Sequence, residues 1–299
     1  MSLVDVVVRT LAASMPNLVS SHTLLCASDY SGQHKKAAFE AYSFLIVGSA
    51  SWAAWERSRL AMRQHHLNRR QMSFKGLNDK AKRRMLPYFL DAADELDGLL
   101  AVILVDKQIG SLFSHSRHFD FTDKPEYAAY GSQAFERLLR AVHLLSFFLG
   151  GLSQPGQNVF WFTDADDFAA NDVRIRTLTD IFANVSSHYI SHPLGHFHCG
   201  TSSRCDNGKL QIEDLCAISD LAAGAAAELF NRHLEEGTVP KSRFIVPTPS
   251  SLSGKSAFVC SWLARQSSRL SRLILALEAE AGSTSIRIKR ITLHSLAVD

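Results

Sequence analysis

The apolar positions of this chain fall into two kinds of segment: short runs bounded by turn residues, and longer stretches with helical spacing. HTLLCA at 22–27 reads as a short buried strand that ends at Asp29, with turn chemistry in Ser31-Gly32. AFEAYSFLIVG at 38–48 lies close enough to pair with it as an antiparallel hairpin across GQHKK. Trp52, Trp55, Leu60 and Leu67 recur near helical spacing and predict a helix over 51–68, followed by a short strand at 70–77 (RQMSFKGL). A second helix is expected over 79–97, with Met85, Leu86, Phe89, Leu90 and Ala93 on one side and Pro87 able to kink it. LLAVILV at 99–105 is a buried strand by length and β-branched content. Pro125 opens a long helix that Gly150-Gly151 close, and NVFWFTD at 158–164 is a strand. Asn171 caps a helix to about Ser187, LGHFHC at 194–199 is a short strand, and Leu210 to Glu236 is an alanine-rich helix. A turn-rich connection at 237–254, a basic helix at 255–280 and an alternating strand at 285–293 complete the reading.

A hairpin followed by strands that alternate with helices predicts an α/β fold, a mixed β-sheet flanked by helices. The natural division is a domain over 1–236 with a helix-strand extension over 237–299 packed on it. Of the 299 residues, 46% are hydrophobic and 20% charged, enough for a large core and unlike a disordered chain. The apolar run VVV near the start is flanked by Asp5 and Arg9, which is not the layout of a signal peptide. Charge interrupts each long apolar stretch, as Asp97 and Asp106 do around GLLAVILV, so no membrane span is expected. Five cysteines, an odd number without scaffold spacing, fit reduced thiols and a cytoplasmic location.

Three aspartates stand where chemistry gathers. Asp29 and Asp164 follow buried strands, and Asp214 lies in the first turns of the late helix. Strand ends in a sheet bring distant residues together, and reacting groups collect there. Crowded carboxylates repel one another, a cost relieved by a divalent cation with a preference for hard oxygen ligands. Each aspartate taken alone is more often a turn residue or a helix cap.

The ordered set resembles a group of uncharacterised bacterial ribonuclease H-like proteins. It runs Asp29-Tyr30-Ser31-Gly32, then VILVDK ending at Lys107, FWFTD ending at Asp164, and Leu210-Gln211-Ile212-Glu213-Asp214-Leu215. The resemblance covers about residues 22–236 and implies a ribonuclease H-like fold and a nuclease that uses Mg²⁺ or Mn²⁺. In it Asp29, Asp164 and Asp214 are the catalytic and metal-binding residues, with Ser31, Lys107, Asp166 and Asp220 as auxiliaries. Where members of the group often carry Glu after the first Asp, this chain has Tyr30. Asp166 and Asp167 compete with Asp164 for its role. Asp220, which opens DLAAGA, repeats the Asp214 motif in another register. Asp214 and Asp220 fall on different helix faces, whereas Glu213 and Asp220 share one. Gln211 tips the preference to Asp214.

Between Glu56 and Arg84 the chain carries ten Lys/Arg and two acidic residues. Arg69, Arg70, Lys75, Arg83 and Arg84 in this stretch are the candidates for contacting nucleic-acid phosphates; the alternative is a solvated helix face. His188, His192, His196, His198, Cys199 and Cys205 crowd together without the spacing of a closed zinc site. Ser253-Gly254-Lys255-Ser256 looks like the end of a phosphate loop, but Pro249 stands where its first glycine belongs. Two functions remain: a metal-dependent nuclease for RNA or DNA, or a degenerate ribonuclease H-like module that binds nucleic acid or a protein. Oligomeric state is not legible.

Overall fold

A computed structural model describes residues 15–67, 69–111, 127, 130–164, 168–237, 243–246, 252–280 and 285–295. The strands are β1 (Thr23–Ser31), β2 (Phe39–Gly48), β3 (Gly98–Asp106), β4 (Asn158–Thr163), β5 (Phe197–Thr201), β6 (Arg243–Val246), β7 (Leu270–Ala279) and β8 (Ile286–Ser295). They form one sheet in the order β5-β4-β1-β2-β3-β7-β8-β6. The β1–β2 hairpin and the β2–β3 pair are antiparallel, while β4 lies parallel to β1 and β5 parallel to β4. The expected mixed, helix-flanked sheet is therefore what forms.

Helices cover both faces. On one lie α1 (Trp52–Met62), α2 (Lys80–Ala93), α5 (Gln211–Glu235) and α6 (Gly254–Ala264); on the other lie α3 (Ser132–Leu152) and α4 (Asp172–Ser186). Strand alternation divides the residues of β1 and β2 between two cores. Ala27, Ala41, Leu45 and Val47 face α5, and Cys26, Tyr42, Phe44 and Ile46 face α3 and α4. The burial of β3 along nearly its whole length explains its unbroken apolar sequence.

Two expectations are corrected. The segment 70–77 is not a strand; it ends in a 3₁₀ turn over Lys75–Asn78, because Phe74 is held against α5 rather than against a strand edge. The basic helix expected over 255–280 stops at Ala264, and its second half is β7, paired parallel with β3 from Gly98↔Leu270 onward. Residues of β7 alternate between the two cores, Ile274 and Ala276 on one side and Leu273 and Leu275 on the other. Strands β7, β8 and β6 thereby continue the sheet from the β3 edge. The proline start of the long helix at 125 lies outside the described residues, as do Asp166 and Asp167.

Candidate active site at the carboxylate cluster

Asp29 sits within β1, opposite Ser43 of β2. The parallel register between β1 and β4 runs through Ala27↔Phe162. Beyond that pair β1 runs on to Asp29, while β4 ends at Thr163 with Asp164 directly after it. Asp29 has the same alternation as Leu25 and Ala27, so it points to the α5 side; Asp164 has that of Phe162.

Helix α5 lies over this sheet edge, and Ser219 Oγ donates to the Ala27 carbonyl at 3.1 Å. That anchor sets the next residue, Asp220, beside Asp29, near enough for the two carboxyls to act on one another. Asp220 Oδ2 also accepts the Phe74 amide at 2.6 Å. Gly224, one turn later, makes this possible: a Cβ there would lie 2.3 Å from the Phe74 ring. Lys255 fixes the other side of Phe74, donating to its carbonyl at 3.1 Å with the ammonium 4.3 Å from the ring centre.

Glu213 lies seven residues before Asp220, close to two helical turns, on the same face of α5. The buried Ser202 hydroxyl donates to Asp164 Oδ1 at 3.4 Å and also lies within hydrogen-bonding reach of Glu213. One hydroxyl proton thus serves two acceptors. Burial, and then repulsion from Asp164, raise the Asp220 carboxyl above its ordinary value against the pull of the Phe74 amide and Lys75. Burial also raises Asp164, and burial followed by Asp164 and Asp206 raises Glu213. Cys216, buried between Glu213 and Asp220 on α5, registers the same field. Its thiol is pushed well up by burial and then by Asp164, Glu213, Asp29 and Asp206.

Asp214 is placed elsewhere. It is buried at the start of α5 and gripped by Arg63, whose Nε reaches Oδ2 at 2.6 Å and whose Nη2 reaches Oδ1. Arg59 Nη1 adds a bond at 3.0 Å and a second to the Lys209 carbonyl at 3.2 Å. Burial pushes the Asp214 carboxyl up and the two guanidiniums pull it down. Gln211 bonds the Glu56 carboxylate, which itself pairs with Arg59 at 2.7 Å. The Leu-Gln-x-x-Asp segment therefore clamps α5 to α1, and the carboxylate that joins Asp29 and Asp164 is Asp220. Asp206 caps the same helix start, accepting the Gln211 amide at 2.7 Å and the Glu213 amide at 3.2 Å.

Ser31 ends β1 on the Asp29 side of the strand, and Gly32 follows with φ +79°, where a Cβ would lie 2.4 Å from the Phe39 carbonyl. Lys107 stands past β3, and its ammonium donates to the His34 carbonyl of the hairpin at 2.8 Å. Burial lowers its pKa. Tyr30 faces away from the cluster, bonded to Ser28 Oγ at 2.8 Å with its ring 5.4 Å from Tyr42 and 5.1 Å from Phe168. A carboxylate at position 30 would point to that opposite face, so Tyr30 replaces no group beside Asp29. Ser43 does lie beside Asp29, buried, with its Oγ lacking a hydrogen-bond partner.

The basic stretch divides in two. Arg59 and Arg63 are buried in the Asp214 pairs, and Arg83 donates to the carbonyls of Leu77 at 3.1 Å and Asn78 at 3.4 Å. Arg69 and Arg84 are exposed, Arg70 reaches Asp79 at 3.7 Å, and exposed Lys75 lies within the field of Asp220. The amide of Ser253, at the start of α6, is occupied by Glu228 Oε1 at 2.9 Å, so Ser253–Ser256 leaves no open phosphate cradle. His198 stacks on Phe160 and His192 bonds Ser153.

A divalent ion of the kind implied by the resemblance needs hard oxygen donors, and Asp29, Asp164, Asp220 and Glu213 supply that chemistry under mutual repulsion. Among the described residues no three acidic, histidine or cysteine groups are already gathered closely enough to hold one. Glu213 and Ser202 were not among the sequence candidates. The seven-residue spacing of Glu213 and Asp220 was a signal for the first; Ser202 had none.

No helix among the described residues is long and apolar enough to cross a membrane. No family model matches the chain, and no curated protein is similar to it in sequence. Among solved structures it is similar to the ribonuclease H2 from Pyrococcus horikoshii OT3, with 12% sequence identity, 81% of this chain and 86% of that chain covered, and a TM-score of 0.35.

Proposed function

We propose that the chain is a divalent-metal-dependent phosphodiesterase acting on RNA or DNA, with Asp29, Asp164 and Asp220 as the metal-holding set and Glu213 beside them. The observation that carries this reading is the contact of Asp220 with Asp29, with the Asp164 carboxylate bearing on Asp220. The reading brings together three acidic side chains from distant parts of the chain, of which Asp164 repels Asp220. Mg²⁺ or Mn²⁺ supplies Lewis-acid stabilisation of a phosphodiester and a more acidic water when bound. The chain's own contribution is to orient those carboxylates through the Ser219–Ala27 and Phe74–Asp220 hydrogen bonds. Lys75, next to Asp220 and exposed, is placed to meet a substrate phosphate, and Arg69, Arg70 and Arg84 extend positive charge along the same segment.

A second reading, a nucleic-acid-binding module without activity, draws on the lack of a gathered three-ligand group among the described residues. Cleavage of RNA, DNA and hybrid substrates with Mn²⁺ separates the two. Activity lost in Asp220→Asn and kept in Arg176→Ala, an exposed charge on the other face of the sheet, supports the enzyme; metal binding without cleavage of any substrate supports the module.

A further inference from the structure

At the β7–β8 side of the sheet, with β2 and β3 intervening between it and the carboxylates of β1, lies a cavity of about 450 Å³. Its lining carries three arginines, Arg265, Arg272 and Arg290, with His294 beside them, and no carboxylate. Ser271 and Thr292 add hydroxyls, and Leu270, Ile274 and Leu293 give it an apolar wall. The volume falls within the range of small-molecule sites, about 300–1,000 Å³, and exceeds what a bare inorganic anion fills.

Arg272 is the built element. Its side chain is 5% exposed. Its guanidinium lies 4.4 Å from the Trp262 ring centre, pairs with Asp94 and donates to the Arg265 carbonyl. These contacts fix the guanidinium in the cavity wall, and its Nε, itself shut off from the cavity, has no hydrogen-bond partner among the described residues. Arg290, exposed at the rim, has no ion-pair partner among the described residues, and Arg265 has only a surface pair with Asp91 at 3.4 Å. The positive charge around the cavity thus exceeds what its neighbours neutralise.

We infer that this cavity binds a phosphate-bearing ligand of nucleotide size, the phosphate taken by Arg290 and Arg265 over the buried charge of Arg272 and the remainder lying on the apolar wall. Guanidinium forks match phosphate oxygens in pairs, and the Ser271 and Thr292 hydroxyls complete the acceptor shell. The ligand is a free mononucleotide or one nucleotide of a bound strand; the chemistry at the cavity is the same. The site is independent of the carboxylate cluster and of any activity there.

The test is calorimetric titration of the full chain with AMP, with inorganic phosphate and with an eight-nucleotide thymidine strand. AMP is expected to bind in the wild type and to bind at least about tenfold more weakly in Arg290→Ala, the scale of losing one charged contact. Arg176→Ala, which removes an exposed charge on the opposite face, is expected to bind as the wild type does, and so is Asp29→Asn. Competition between strand and AMP identifies the strand as the source; AMP binding without competition identifies the free nucleotide. No AMP binding at millimolar concentration, an equal loss in Arg176→Ala, or a loss in Asp29→Asn overturns the assignment.

Discussion

Asp220 of α5 lies beside Asp29 of β1, near enough for the two carboxyls to act on one another. An oxygen of Asp220 also holds the Phe74 amide at 2.6 Å, so one aspartate ties together strand, helix and the turn before α2. Asp214, less than two helical turns earlier, performs a different task on a different face. Arg63 and Arg59 both pair with it, so its charge is already balanced within the chain.

This division separates the two aspartates by experiment. Asp214→Ala leaves two buried guanidiniums without their carboxylate and is expected to cost about 3–5 kcal/mol, the usual penalty for breaking a buried pair. Asp220→Asn can still accept from Phe74 and donate to Asp29, and relieves repulsion from Asp164, so its stability is expected to equal or exceed that of the wild type. Urea unfolding of both variants reads the difference.

The pH dependence of stability has a defined sign. Asp164, Glu213 and Asp220 all have raised carboxyl pKa values, burial being the first cause of each. Between the ordinary carboxylate value, about 4, and the raised values, the folded chain holds more protons than the unfolded one. Their contribution is therefore greatest in acid and falls as pH rises through the raised values. Thermal unfolding of the metal-free protein should show the fall, and Asp220→Asn should flatten it.

Ser43→Ala removes a buried hydroxyl that has no partner beside Asp29. The unpaired group costs more than a hydrogen bond returns, so the alanine variant is expected to be more stable by up to about 1 kcal/mol. Denaturant midpoints measure this; a loss of 1 kcal/mol or more would mean that the hydroxyl is bonded.

Gly224→Ala tests the path from helix packing to site geometry. The added methyl would meet the Phe74 ring at 2.3 Å and displace the residue whose amide holds Asp220. Overpacking of this kind costs about 1–3 kcal/mol. A fall in Mn²⁺-stimulated cleavage alongside the lost stability, measured below the unfolding range, is the expected result.

The sequence made the strands legible and left the long-range pairings hidden. TLLCASDYS, GLLAVILVD and NVFWFT are continuous or alternating apolar runs whose ends carry or adjoin acidic residues, so Asp164 could be read as following its strand, whereas Asp29, expected just past β1, lies within it because the hairpin runs on to Ser31↔Ala41. The choice between Asp214 and Asp220 could not be read, because both begin similar Asp-Leu segments of one helix. Arg59 of α1 and Arg63 just beyond it occupy Asp214, a contact that no local pattern announces. In the same way LSRLILALEA carries basic residues at helical spacing with Arg265 and Arg269, yet becomes a strand because the open side of β3 accepts it. The turn at 73–76 has apolar content suited to a strand, and only the small Gly224 on α5 shows why Phe74 packs there instead.

Manganese binding, followed by calorimetry on the wild type and on the Asp29→Asn, Asp220→Asn and Asp206→Asn variants, bears most directly on the carboxylate cluster. The account predicts one high-affinity process in the wild type and in Asp206→Asn, absent or at least about tenfold weaker in Asp29→Asn and Asp220→Asn. Wild-type protein that takes up no Mn²⁺, or uptake unchanged by removing either Asp29 or Asp220, would contradict it.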